Sequence, residues 1–451
     1  MLRPALLAAA LAAAFPAHAD ADLDALRTEI RDMKAAYEAR IQALEARLQQ
    51  AETRAETAAA QPQPSPETQT RGGFNPEVSL ILQGRYAHLE NRGERGIGGF
   101  LTADGHDHGG GGRGFSVDGS ELVLSASVDP YFRGYLNAVL ADGEVEVEEA
   151  WAQTTGLGNG FTIKGGRFKS GIGYQNEQHA HAWDFATNNL VYEALFGEGY
   201  AQDGVQLKWL APTDTFLEFG AELGAGGAFP STNNDGNGAS SVALFGHVGG
   251  DVGVSNSWRA GLSWLRAKPR GRAFEGHDVN DIETEGDFSG KSRTWLADFV
   301  WKWAPNGNPT QRNFKFAAEY FQRKESGALF CDTVEPGSLC TGGFAAPFTA
   351  DQSGFYAQAV YQFMPRWRAG YRYDRLFRGD VLFDGADAGD AFESLADYDP
   401  KRHSLMLDYS PSEFSRLRLQ YTRDQAMEGA DENQFYVQYI YSLGSHGAHK
   451  F

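Results

Sequence analysis

The stretch Trp367-Arg368-Ala369-Gly370-Tyr371-Arg372-Tyr373-Asp374 sets aromatic or small apolar residues at odd positions against charged residues or glycine at even ones. The same alternation returns at Arg416-Leu417-Arg418-Leu419-Gln420-Tyr421. A period of two marks a β-strand whose faces meet different surroundings. In water, such strands could cover one face of a soluble sandwich. The number of alternating runs, the aromatics on the apolar face and an export signal favour an all-β fold instead, an antiparallel transmembrane β-barrel. There, lipid-facing and lumen-facing side chains alternate along every strand.

Outward from these two stretches, sixteen runs can be counted, near 77–89, 116–128, 131–141, 144–155, 160–170, 201–211, 215–224, 240–251, 256–267, 292–303, 312–323, 353–363, 366–376, 402–409, 413–423 and 433–443. Their connections alternate between tight turns, such as Met364-Pro365 and Ser410-Pro411-Ser412, and long polar loops. Short turns on the periplasmic side and long loops outside are the rule for outer-membrane barrels. An even count returns both ends to one side. Eight strands would fill their lumen with side chains, whereas about sixteen enclose an aqueous channel.

Ahead of the barrel (74–451), residues 1–19 read as a secretory signal peptide: Arg3, an apolar run from Leu6 to Phe15, and Ala17-His18-Ala19 as cleavage site. Residues 20–60 read as a periplasmic α-helical coiled coil, with Leu23, Leu26, Ile30, Met33, Tyr37, Ile41, Leu44, Leu48, Ala51 and Ala55 forming a narrow seam. The step from Tyr37 to Ile41 is a stutter that locally unwinds the supercoil. Residues 61–73 (QPQPSPETQTRGG) contain three prolines and read as an extended linker. No stretch approaches the roughly 18 apolar residues that a membrane helix needs.

The net charge of −19 argues against nucleic acid as a partner. Aromatics at 13% suit membrane–water girdles, so the expected partner of the outer face is outer-membrane lipid. Cys331 and Cys340 are the only cysteines; in an exported chain they are expected to form a disulfide. No nucleophile motif, phosphate loop or CxxC is present, which points away from an enzyme and from a resident cofactor.

With the seam from Leu23 to Leu48, the sixteen runs and the terminal Phe451, the chain resembles Gram-negative outer-membrane porins. The resemblance is to the phosphate-selective type, which carries an N-terminal coiled coil before a sixteen-stranded barrel. It implies a water-filled diffusion channel in the cell outer membrane, a homotrimer, and a terminal aromatic, Phe451, read by the barrel-insertion machinery. The coil could also contact the cell wall. In porins the loop after the fifth strand folds inward; here that loop runs from Ser170 to Tyr200 and has apolar residues (Trp183, Phe185, Leu190, Val191, Tyr192, Leu195, Phe196) that an outer loop would not need. Phosphate specificity is not carried over: the loop has Glu177, Asp184, Glu193 and Glu198 and no Lys or Arg, which favours cations. The stretch FNPEVSLILQG gives a weaker likeness to zinc-responsive outer-membrane receptors, but too few residues precede the barrel for a plug.

Residues expected to line the lumen are Arg368, Arg372, Arg416 and Arg418 on one wall, Glu146 and Glu148 on the opposite wall, and Glu177 and Glu193 on the loop. The Arg wall could orient solutes in a transverse field or could simply be salt-bridged. Glu149 breaks the parity of its strand, which suggests a bulge or a strand end. His179, His181 and Asp184 form a candidate zinc site. The alternative is that these histidines only bond the loop to the barrel wall. His106 and His108 in the Gly-rich first outer loop, and His446 and His449 near the C-terminus, could touch metal only weakly.

Overall fold

The computed structural model describes residues 76–90, 96–103, 112–117, 119–127, 129–141, 143–232 and 237–444. The signal, coiled coil, linker, Phe451, His106, His108, His446 and His449 lie outside the described residues.

Sixteen antiparallel strands close into a barrel. In chain order they are β1 (Glu77–Leu89), β2 (Glu121–Ser127), β3 (Phe132–Ala141), β4 (Glu144–Thr154), β5 (Phe161–Lys169), β6 (Ala201–Leu210), β7 (Phe216–Gly224) and β8 (Ser241–Val252). There follow β9 (Asn256–Ala267), β10 (Glu283–Trp303), β11 (Asn313–Asp332), β12 (Phe344–Met364), β13 (Trp367–Phe383), β14 (Lys401–Ser412), β15 (Ser415–Gln425) and β16 (Glu432–Gly444). Each strand pairs with its neighbours in sequence, and β1 meets β16 from Ser79↔Gly444 to Leu89↔Gln434, which removes both sheet edges. Short strand pieces at Gly114–Ser116, Arg272–His277 and Ala386–Asp387 add to the sheet as loop hairpins and extensions.

The alternation read from sequence is the alternation of faces. On β1, Leu82 and Tyr86 point outward and are exposed, while Ile81, Gln83 and Ala87 are buried inside. On β15, Leu417 and Leu419 face outward and Arg418 and Gln420 inward. The outer band of Val, Leu, Phe, Tyr and Trp is what a hydrocarbon surround requires, since every strand's backbone groups are already paired.

The strand count agrees with the sequence, but four strands run far beyond their expected limits. β10 and β12 have 21 residues each, β11 has 20 and β13 has 17, against expected spans of 292–303, 353–363, 312–323 and 366–376. A tilted membrane strand needs only about 9–11 residues. The extra length projects past the lipid, where both faces meet water or loops, so the apolar–polar alternation fades, as in Glu283-Thr284-Glu285-Gly286-Asp287. This extension holds its own apolar core. Phe288, Leu329, Phe348 and Val381 pack with Phe392 and Leu395 from the segment after β13. Cys331 and Cys340 are disulfide-bonded within it, with Cα atoms 5.3 Å apart.

Between β3 and β4 the register slips: Asn137 and Ala138 of β3 pair with Glu149 and Val147 of β4. Glu148 is the extra residue of a β-bulge, and the bulge turns both Glu148 and Glu149 toward the interior. The departure from parity at Glu149 marks this bulge.

Candidate functional site

The segment from Ser170 to Tyr200 lies inside the barrel and crosses its interior. Its two ends are tied together: Ser170 N–H donates to Tyr200 O (3.0 Å), and the Asn176 amide donates to both Ser170 O (2.8 Å) and Tyr200 O (2.9 Å). Two wall carboxylates then receive the first turn of the segment. Glu222 of β7 accepts from the Ser170 hydroxyl (2.6 Å) and Gly171 N–H (2.9 Å). Glu319 of β11 accepts from Tyr174 N–H (3.0 Å), Gln175 N–H (2.8 Å) and the Tyr356 hydroxyl (2.7 Å).

One helix, α1 (Leu190–Phe196), forms within the segment. Asn189 caps it by accepting from Tyr192 N–H at 3.0 Å, and Gly197 at φ 63° ends it in the left-handed conformation that favours glycine. Seven residues would not hold a helix in water; packing does. Leu190, Val191, Leu195 and Phe196 join Leu296, Phe321, Tyr356 and Leu376 from the inner face of β10–β13 in one apolar cluster. The loop's apolar residues therefore cover this part of the wall.

The four expected arginines all lie on the inner face of β13 and β15, and they grip the loop. Arg372 donates to Thr187 O at 2.9 Å and to Asn188 O at 2.5 Å. Arg418 donates to Trp183 O (2.9 Å) while pairing with Asp408 of β14 (2.8 Å). Arg368 bridges Asp408 (2.5 Å) and Asp184 (3.3 Å), and Lys315 also binds Asp184. Arg416 has only longer contacts, 3.9 Å to Asp408 and 3.5 Å to Trp183 O. Burial opposes ionisation of Asp184, but Lys315, Arg368 and Arg418 outweigh it and hold its carboxyl well below the usual range. Glu193 on α1 pairs with Arg402 of β14, a cation that the sequence reading did not single out. Two of the loop's four acids are thus neutralised by the wall.

Across the barrel, the bulge on β4 and the start of β2 build an acid–imidazole cluster around a 3₁₀ turn at Ala180–Ala182. His179 Nδ1 lies 2.7 Å from Glu148 Oε2, and its Nε2 lies 3.0 Å from Glu149 Oε2. His181 Nδ1 lies 2.5 Å from Glu121 Oε1, and Lys169 Nζ 2.6 Å from Glu148 Oε1. Asn137 Nδ2 reaches Glu121 (2.9 Å), Glu148 (3.1 Å) and His179 Nδ1 (2.8 Å). Burial and the Lys169 charge oppose protonation of His179; Glu148 and Glu149 outweigh them and raise its pKa to about 9.

The expected trio of His179, His181 and Asp184 does not converge. The two rings stack at 5.9 Å, each facing a different carboxylate, and Asp184 has gone to the cationic wall. The physical reason is the chain direction: after the 3₁₀ turn the segment crosses to β11–β15, where Lys315 and Arg368 outcompete any shared cation. Glu121, Glu149, Asn137 and Lys169 stand in its place. Glu121, Asn137 and Lys169 were legible only as inward-facing or end residues of their strands. Glu146 has the inward parity of Glu148 but is exposed and outside the cluster. Glu177 is half-buried on the opposite side, where its charge is felt by Glu218, Glu222 and Asp298.

No family model matches the chain. An uncharacterised protein of Aquifex aeolicus (strain VF5) is 31% identical over 424 residues, covering 88% of this chain and 84% of that protein. Among solved structures, a loop L8 deletion mutant of OmpT, an outer membrane protein of Vibrio cholerae, aligns with a TM-score of 0.51. It is 15% identical and covers 82% of this chain and 99% of its own. The outer membrane channel DcaP of Acinetobacter baumannii also aligns at 0.51, with 14% identity over 83% of this chain and 99% of its own. These likenesses agree with the barrel fold.

Proposed function

We propose that this chain, which belongs to the same family as the uncharacterised Aquifex aeolicus protein, is an outer-membrane porin, a water-filled channel for small hydrophilic solutes or ions. The observation that carries this reading is the closed sixteen-strand barrel with an apolar outer band and a charged inner face crossed by an anchored loop. Such a ring is too wide for its own strand side chains to fill, and in this reading the pinned loop sets the width of the passage. In this reading the coil stands in the periplasm, the assembly is a homotrimer, and Phe451 serves barrel insertion.

Purified protein added to a planar bilayer should give unitary conductance steps in potassium chloride. Correctly inserted, heat-modifiable barrels that give no steps would overturn the reading. A second reading, specific uptake of a divalent metal, is favoured by one observation, the acid–imidazole cluster around His179. Flux that saturates with metal, rather than rising linearly with solute, would select it.

A further inference from the structure

The cluster between β2, β3, β4 and the loop crowds three polar atoms onto one imidazole nitrogen. His179 Nδ1 has Glu148 Oε2 at 2.7 Å, Asn137 Nδ2 at 2.8 Å and Glu121 Oε2 at 3.6 Å. A ring nitrogen either donates or accepts. If it donates to Glu148, it faces the Asn137 amide donor; if it accepts from Asn137, it faces the lone pairs of Glu148. One contact is repulsive in either tautomer.

Asn137 gives a second, independent sign. Its side chain is fully buried, yet its Oδ1 has no hydrogen-bond partner among the described residues. Amide nitrogen and oxygen are interchangeable by a flip. Turned over, Oδ1 would lie where Nδ2 is now, 2.8–3.1 Å from His179 Nδ1 and the two glutamate oxygens. Such spacings suit donor atoms sharing one cation.

Charge points the same way. Glu121, Glu148 and Glu149 bring three carboxylates to His179 and His181, with Lys169 paired to Glu148 and the Lys164 charge felt at Glu149. A divalent ion on Nδ1 displaces the proton that Glu148 and Glu149 otherwise hold on His179 and puts two positive charges in the place of one. One ligand atom each from Glu121, Glu148 and His179 already lies within 4.8 Å of the others, so closing on a central ion takes side-chain shifts of about 1 Å.

We propose that Glu121, Glu148 and His179, with the Asn137 amide oxygen, bind a borderline divalent transition-metal ion such as Zn²⁺ on the lumenal face of the loop. One imidazole among carboxylates suits zinc, cobalt or manganese better than the all-oxygen surroundings that calcium prefers. Glu149 accepts from the other ring nitrogen of His179 and so orients it, while Lys169 and His181 hold the outer oxygens of Glu148 and Glu121. The Glu148 side chain is 28% exposed, which leaves the ion a path to the lumen. Only the consequence for transport rests on the channel reading; the site does not.

The test is equilibrium binding of Zn²⁺ to metal-stripped full-length protein in detergent, with Co²⁺ as a spectroscopic probe. One ion per chain is expected, and Co²⁺ should show ligand-field bands that Zn²⁺ erases. Glu148→Gln and His179→Gln should each weaken binding about tenfold or more, whereas His403→Gln, on the outer face of β14, should not. Unchanged binding in both site variants overturns the proposal. So does the absence of Co²⁺ bands in the wild-type protein, which decides the matter even if the variants misfold. A protein that binds the ion but opens no channel would keep this site and overturn the channel reading.

Discussion

Arg402 of the barrel wall reaches Glu193 of the lumenal helix at 3.0 Å, and each side chain is only 3% exposed. The same guanidinium binds Asp424 of β15 at 2.8 Å, so one cation holds a helix acid and a wall acid together. Removing one partner of a buried pair leaves the other charge uncompensated, at a cost of about 3–5 kcal/mol. Arg402→Met strands two carboxylates and is expected to release α1 from the wall while the barrel, held by its closed ladder, remains intact. Hydrogen exchange over residues 190–196 should accelerate at least about a hundredfold, with heat-modifiability on gels unchanged. Equal protection in variant and wild type would show that the apolar cluster alone holds the helix.

Asp184 sets a different balance, because its partners are the cations of the lumen. Lys315, Arg368, Arg416 and Arg418 stand on the wall against Asp184 and Asp408. Asp184→Asn removes one acid and frees Lys315 from its pair. Reversal potential in a salt gradient should move toward anions, and more than it does for Glu177→Gln, whose carboxylate lies on another wall. Equal shifts would mean that the loop acids act only through their summed charge.

The same aspartate predicts the acid limit of the docked loop. Its carboxyl is held below the unfolded value of about 3.9. A depressed carboxylate stabilises the fold above its unfolded pKa, and that stabilisation is lost as pH falls through the lower, folded value. The Asp184 anchor should therefore hold from neutral pH to about pH 4 and loosen only below that, whereas the Glu193 contact, whose carboxyl burial raises to about 7, weakens earlier. Brief pepsin exposure gives the readout: cleavage at Trp183 or Phe185, beside Asp184, already at pH 5 would contradict the assignment.

How much of this was legible in the chain follows from what each signal measures. Alternation reports a strand with two unlike surroundings, so Trp367–Asp374 and Arg416–Tyr421 were readable, and so was the inward side of each arginine. It does not report a strand where the faces no longer answer to lumen and lipid, which is why the outer halves of β10–β13 escaped: there Phe288, Leu329, Phe348 and Val381 turn inward to an apolar core beyond the membrane span. Parity reports a face but not a partner. Arg368 and Arg418 could be placed on the lumen side, but their grip on Asp184 and Trp183 O depends on where the loop crosses. The ligand trio failed for the same reason, since closeness along the chain joined Asp184 to His179 and His181 while the loop's path separated them. Glu121 and Glu148 lie 27 positions apart, and only the pairing of β2, β3 and β4 brings them to one imidazole.

The segment before the barrel supports one last expectation. Its seam, Leu23, Leu26, Ile30, Met33, Tyr37, Ile41, Leu44 and Leu48, is narrow, with charged and amide side chains on the other faces. A helix of this kind buries its stripe better against copies of itself than against a barrel wall. Deleting residues 20–72, with the signal kept, should therefore leave an inserted and closed barrel while weakening the proposed trimer. Native electrophoresis across a temperature series measures this, with dissociation expected at lower temperature in the truncated protein. Identical dissociation profiles would remove the coil as an oligomerisation device and leave the cell-wall contact as its remaining proposed role.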